Sequence, residues 1–282
     1  MLARAAPLLF VLLWSTGFLG AKLGLPHAAP LAFLLVRYLA VLALMGVLAL
    51  AWRAPWPADG RQWFHIGMSG LLLHACYLGG VFIAISLGLP AGVTSLIVGL
   101  QPLLTATVAG WLLGEAIAPR QWLGLGLGFV GVALVLSNKL GSGFGPIALL
   151  PALVALLAIT AGTLYQKRFC PHFDWRSGAV AQFLPTALVT GLVVWLGDGF
   201  RIDWTPDFIF ALAWLVLVLS VGAISLLNWL IRHGSAVNVA SLFYLTPPTT
   251  ALLAWLLFDE ALAGLALPGM ALAVWGVYLS RR

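Results

Sequence analysis

Acidic residues are scarce in this chain, and none lies inside its long apolar runs. Only eight occur among 282 residues: Asp59, Glu115, Asp174, Asp198, Asp203, Asp207, Asp259 and Glu260. A carboxylate held within lipid can titrate with a shifted pKa and couple proton or sodium movement to another event. Without one, that form of coupling is disfavoured, and so is a site for strongly cationic ligands, which need a buried counter-charge. Charge of either sign is sparse at 8% of residues, where a soluble domain carries about 25%. There are only two cysteines. Cys76 falls mid-run and Cys170 in a connection, so a disulfide between them is not expected. Also missing are a His-Glu-x-x-His helix, a phosphate-binding loop, a Gly-x-Ser-x-Gly elbow and a clustered acid pair. The only hydrolase that could be assembled, Ser69 or Ser86 with His74, lacks any such motif. No enzymatic activity, cofactor or metal is therefore expected.

What is present is apolar length. Hydrophobic residues make up 62% of the chain and the mean hydropathy is +1.07. About 20 apolar residues cross a bilayer core. Runs of that order occur at 5–25, 30–52, 62–86, 90–113, 119–137, 146–168, 177–196, 207–231, 236–258 and 263–280. Backbone groups in lipid must be satisfied internally, so these runs predict helices. The alternation of a membrane barrel is missing. The first run follows Arg4 much as in a signal peptide, but its repeat partners, given next, place it within the fold.

The chain repeats itself at a shift of 145 residues, with 14 of 35 positions identical between Leu100 and Leu134. Pro102 falls on Pro247, Glu115 on Glu260, Gly131 on Gly276, and Gly17, Lys22 and His27 on Gly162, Lys167 and His172. The expected units are 1–137 and 146–282. Five spans per unit would send the second through the membrane upside down. The predicted fold is thus an all-α integral membrane protein of ten transmembrane helices in two inverted five-helix repeats, an architecture suited to alternating access.

The net charge of +6 is dispersed over connections, which argues against nucleic-acid binding. Ten of the fourteen bases fall on the side of the N-terminus, and only Lys22, Lys139 and Arg201 on the other. This bias predicts cytoplasmic termini in a bacterial inner membrane. The expected partners are the lipid bilayer and a small-molecule substrate. No obligate protein partner is indicated.

Several residues stand out within the runs. Pro102 interrupts the fourth helix, and Pro247 and Pro248 the ninth, freeing carbonyls about one turn earlier. Paired interruptions in corresponding helices point to a transporter binding site. His74 and Tyr77 share a face of helix 3. His74 is the one mid-span group able to carry a proton near neutral pH, although a lone His in a span can also be a neutral hydrogen-bonding residue. Thr163 lies on the polar stripe of helix 6 and Asn228 on that of helix 8. Such polarity can equally serve interhelical hydrogen bonding. Trp14 and Tyr244 offer aromatic surface, and Gln101 a hydrogen-bonding amide. These seven residues form the expected substrate site. Glu115 and Glu260 are either anions near helix N-termini or gate residues. Arg37, about 10 Å along helix 2 from Pro30, either snorkels outward or hydrogen-bonds backbone carbonyls, or it holds an anionic group or a substrate carboxylate; it is also a gate candidate. Gly124, Gly128 and Gly131 give helix 5 a small-residue face for close packing.

Trp14-Ser15-Thr16-Gly17-Phe18, Leu35-Val36-Arg37-Tyr38, Leu113-Gly114-Glu115, Leu245-Thr246-Pro247 and Leu257-Phe258-Asp259-Glu260 together resemble the drug/metabolite transporter superfamily, EamA branch. The likeness covers the whole chain and is greatest to YddG-type aromatic amino-acid exporters of bacterial inner membranes. It implies a central cavity lined by helices 1, 3, 4, 6, 8 and 9, with 5 and 10 peripheral, and transport by alternating access. The expectation is export of aromatic and other neutral amino acids and related metabolites. Amphipathic drugs are the alternative cargo, and a receptor or scaffold without flux is the alternative of another class.

Overall fold

The computed structural model describes residues 2–89, 91–114, 116–137, 145–197, 200–258, 262 and 264–280. The described chain is helical, and among the described residues there is no strand. Its main segments are α1 (Leu2–Gly24), α2 (Pro30–Ala51), α3 (Gly60–Ser86), α4 (Val93–Leu113), α5 (Pro119–Val135), α6 (Pro146–Phe169), α7 (Trp175–Leu196), α8 (Pro206–His233), α9 (Ala236–Leu257) and α10 (Ala266–Ser280).

The helix starts follow local chemistry. Asp59 accepts from the Gln62 amide at 2.7 Å, and Gln62 Oε1 accepts from the Ala58 amide at 2.6 Å. Asp174, Thr205 and Ser235 cap α7, α8 and α9 in the same way, each satisfying an orphan amide. Proline fills the first helical turn of α2, α5 and α8, where its missing N–H costs nothing.

Seven segments, α2, α3, α4, α6, α7, α8 and α9, are long and apolar enough to cross a membrane. The sequence led us to expect ten runs of comparable reach. Instead α5 has 17 residues and α10 has 15, about 26 and 23 Å of helix. In α5, the Leu136 amide turns back to the carbonyls of Val132 and Leu134, ending the helix before the apolar run itself ends.

The interior is apolar but holds buried amides, and the exterior is apolar as well. Gln101, Gln166 and Gln182 are wholly buried, while Trp111 is 86% and Trp195 78% exposed. A lipid solvent accounts for both. Helices approach most closely at glycine. A methyl built on Gly124 would meet the Gly276 carbonyl and the Ser280 amide at 2.6 Å each, and one on Gly131 would meet the Gly269 carbonyl at 2.6 Å. α5 and α10 therefore touch backbone to backbone. Gln121 Nε2 adds a 3.0 Å bond to the Ser280 carbonyl.

Four helices are irregular, in corresponding pairs. α4 breaks at Gly99–Leu100, just before Gln101-Pro102, and α9 tightens into a 3-10 turn at Leu242–Leu245, just before Pro247. α3 widens into a π-helix at Leu71–Cys76, and α8 does so at Leu215–Ala223. The proline breaks were predicted. The π-segments were not, because no residue type encodes the i→i+5 bond they need. Away from these breaks, the α1–α2 and α7–α8 connections meet in an antiparallel bridge between Ala28 and Ile202, with His27 and Ala29 bonding Asp203 and Arg201.

Candidate functional site

The irregular segments surround two adjoining hollows. The larger, about 600 Å³, is lined by Trp14, Gly17 and Ala21 of α1, Arg37 of α2, His74, Tyr77, Val81 and Ile85 of α3, and Leu215, Leu219 and Ile224 of α8. The smaller, about 390 Å³, shares Trp14, Tyr77 and Val81 and continues to Thr94, Val98 and Gly99 of α4 and to Phe243, Thr246 and Pro247 of α9. Glycines let α1 approach α8: a methyl on Gly17 would lie 3.3 Å from the Leu219 side chain, and one on Gly20 would lie 3.0 Å from Leu215. The π-turn of α8 thus faces α1 across the hollow.

Trp14 is held edge-on to Phe243, ring centres 5.3 Å apart, and against Phe10 at 5.2 Å. The His74 ring stacks on Phe183 at 4.4 Å, and its backbone carbonyl accepts from the Tyr38 hydroxyl at 2.9 Å. His74 Nε2 is buried and makes no hydrogen bond, although the Gln182 amide lies close enough to interact with it. α1 and α9 are tied at the proline break: Ser15 Oγ donates to the Thr246 carbonyl and Thr250 Oγ1 to the Ser15 carbonyl, both at 3.3 Å.

Of the seven residues predicted to bind substrate, Trp14, His74 and Tyr77 line the hollows. The other four are placed differently. Gln101 is fully buried, with its amide 3.4 Å from Thr163 Oγ1, so these two face one another between α4 and α6. Asn228 belongs to an amide cluster described below. Tyr244 is fully buried, its ring against Gly128 of α5, where a methyl would meet Cδ2 at 2.5 Å. The aromatic side chain from α9 that lines the smaller hollow is Phe243, in a 3-10 turn whose side-chain directions differ from those of an α-helix. Pro102 and Pro248 do not line either hollow, but Pro247 does. Glu115 and Glu260 lie outside the described residues. Arg37, expected to snorkel or to act at a gate, is 5% exposed and lies on the hollow wall, with Nε donating to Ser220 Oγ at 3.1 Å.

The sequence reading missed a cluster of amides. Gln182 Nε2 donates to Ser69 Oγ and to Gln166 Oε1, both at 3.0 Å. Gln166 Nε2 donates to Asn228 Oδ1 at 3.1 Å, and Asn228 Nδ2 to Gln182 Oε1 at 3.4 Å. The cluster joins α3, α6, α7 and α8 on the side of His74 nearer Gly60. Beyond it, at the same end, Arg232 donates to the Phe173 carbonyl at 2.6 Å, Lys167 to the Gly234 carbonyl, and Gln62 to the His172 carbonyl at 3.0 Å. Asp174 pairs with Arg176 at 2.9 Å, and the hydrogen-bonded guanidinium holds its carboxyl below the usual carboxylate range. Cys170 is buried there, which pushes its thiol up to about 11. Hydrogen bonds tie the helices together at this end, around a hollow lined by Gln62, His172, Phe173 and Arg232. Amides within apolar runs were the available signal: Gln166 and Gln182 are rarities in their segments.

The profile of the EamA-like transporter family matches the chain twice, over residues 4–137 and 146–282. The chain belongs to the EamA family. It is therefore a multi-pass membrane protein of the drug/metabolite transporter superfamily, and the hollow between its broken helices lies in a transporter. It is 29% identical to an uncharacterized transporter, YvbV, of Bacillus subtilis, over 95% of this chain and 88% of that protein. It is 25% identical to a probable amino-acid metabolite efflux pump of Escherichia coli, over 97% and 92%. A crystal structure whose description names no function shares the fold, with a TM-score of 0.79 and 24% identity, covering 98% of this chain and 94% of that one. The family and these named relatives are transporters rather than enzymes.

Proposed function

We propose that this EamA transporter exports neutral amino acids, aromatic ones among them, and related small metabolites by alternating access. In this reading the helical segments form ten spans, 1–137 and 146–282 are inverted five-helix repeats, and both termini face the cytoplasm of a bacterial inner membrane. The observation that carries it is the pair of adjoining hollows that share Trp14 and Tyr77, one with Arg37 and His74 and the other with Phe243, Thr94 and Thr246 in its wall, set between helices that break in corresponding pairs. Aromatic walls accept many apolar side chains without strict shape, and a few fixed polar groups orient the ligand. Broken helices provide bending points, so one repeat can move against the other around the hollow. The end bearing Cys170 and Asp174 is cytoplasmic in this topology. The hydrogen bonds that tie this end together support a reading in which the transporter opens elsewhere. Glu115 and Glu260 are proposed gate residues, each near the start of the following helix.

Purified protein in liposomes preloaded with unlabelled phenylalanine should accumulate external radiolabelled phenylalanine by exchange, and Tyr77→Ala should reduce it. Protein that is folded and inserted yet exchanges no neutral amino acid would overturn the assignment.

A further inference from the structure

No acid is buried among the described residues, yet Arg37 is a buried cation. It is 5% exposed, so it does not snorkel to the interface. Its one hydrogen bond among the described residues is from Nε to Ser220. Ser220 is fixed in turn: its hydroxyl donates to the Leu215 carbonyl at 3.1 Å, five residues back along the π-turn. With Nε engaged, the two Nη groups remain to donate, and the residue lines the hollow it shares with Trp14 and His74. Among the described residues no acid lies in that wall, and none of the eight acids in the sequence falls inside an apolar run. An unpaired charge within a membrane bundle is costly, and where one persists it marks a functional site. The paired Nη groups of a guanidinium match a carboxylate in geometry as well as charge.

We propose that Arg37, held by Ser220, anchors the substrate carboxylate, and that the substrates are monocarboxylates with an apolar or aromatic body whose amino group is dispensable. This rests on the transport reading above and narrows its substrate class. The same wall holds no counter-charge for an ammonium group. A cation there would instead meet Arg37 in a medium of low dielectric. The body of the ligand would lie against Trp14, Tyr77 and Val81, which belong to both hollows. His74 Nε2 is free to bond a second polar atom.

Three ligands with one body test this by calorimetry on purified protein: 3-phenylpropionate, phenylalanine and 2-phenylethylamine. The carboxylate should bind at least as tightly as the amino acid, and the amine about 30-fold more weakly or worse. Arg37→Gln should weaken both carboxylate ligands about 30-fold and strengthen binding of the amine, because the repelling charge is gone. Arg37→Lys should recover part of the loss. Amine binding equal to that of the carboxylate, failure of 3-phenylpropionate to bind, or a folded Arg37→Gln protein with unaltered affinity would each overturn the proposal. The ranking on the unmodified protein needs no variant, so a misfolded substitution cannot obscure it. Phenylalanine exchange in liposomes separates the two readings. Exchange that survives Arg37→Gln unchanged refutes the anchor and leaves transport standing. Carboxylate binding without exchange of any ligand does the opposite.

Discussion

Replacing Gly124 by alanine should loosen the α5–α10 contact, while the same change two residues later should not. The new methyl would sit 2.6 Å from the Gly276 carbonyl oxygen and the Ser280 amide nitrogen and 2.9 Å from Leu279 Cβ. Carbon needs about 3.5 Å from such neighbours, and two of the three are backbone, which cannot swing aside. The helices must separate by most of an ångström. A gap of about 0.5–1 Å forfeits a quarter to a half of each dispersion well of about 0.1–0.2 kcal/mol. Over about 40 atom pairs that is roughly 1–4 kcal/mol, which brackets the usual cost of overpacking, about 1–3 kcal/mol. Gly126 has no atom within 4 Å of its built methyl. Gly126→Ala should be neutral or stabilising by up to about 1 kcal/mol through helix propensity alone. Thermal unfolding in detergent, followed by loss of the monodisperse elution peak, compares the two directly. Gly124→Ala should melt several degrees lower. Equal midpoints for the two variants would refute the backbone contact between α5 and α10.

Other outcomes separate site from scaffold. Tyr77→Ala should cut exchange in protein that still inserts and elutes as a single peak. Tyr244→Ala should cost about 3 kcal/mol of stability, because its ring packs on Gly128 rather than lining the hollow. If Tyr244→Ala instead behaves like Tyr77→Ala, the hollow has been drawn on the wrong side of α9. Gln182→Ala strips partners from Ser69, Gln166 and Asn228, a loss of about 1–3 kcal/mol, and should ease opening of the end that bears Cys170. Maleimide labelling of Cys170, slow while the thiol is buried and its pKa raised to about 11, should speed up in that variant; an unchanged rate would exclude the amide cluster as a latch. The Asp174 carboxyl is held below its ordinary value by Arg176, so its stabilisation is present above the unfolded carboxylate pKa of about 4 and is lost as pH falls through the folded value. Asp174→Asn should flatten that acid limb of a stability–pH curve. A periplasm-active reporter fused after Arg282 should be silent and one inserted after Lys139 active; the reverse pattern would contradict the proposed topology.

Sequence alone determined the solvent and the repeat. Apolar runs of membrane length with so few charges permit only helices in lipid, and proline, glycine and glutamate recurring at one shift mark two copies of one unit. It also located the proline breaks in α4 and α9, because a missing N–H is a covalent fact, and it marked Gly124 and Gly131 as a close-packing face, because only glycine lets backbones touch. Tertiary structure decided which polar groups meet. Gln166, Gln182, Ser69 and Asn228 come from four helices, and their cluster depends on helix rotation, which no single segment encodes. Phe243, which lines the smaller hollow, sits in a 3-10 turn whose side-chain directions differ from those of an α-helix. Arg37 was visible as an oddity in its run, but the sequence could not choose between the membrane surface and the interior. Its place inside the bundle is fixed by the bond to Ser220, 183 residues away, on the π-turn of α8.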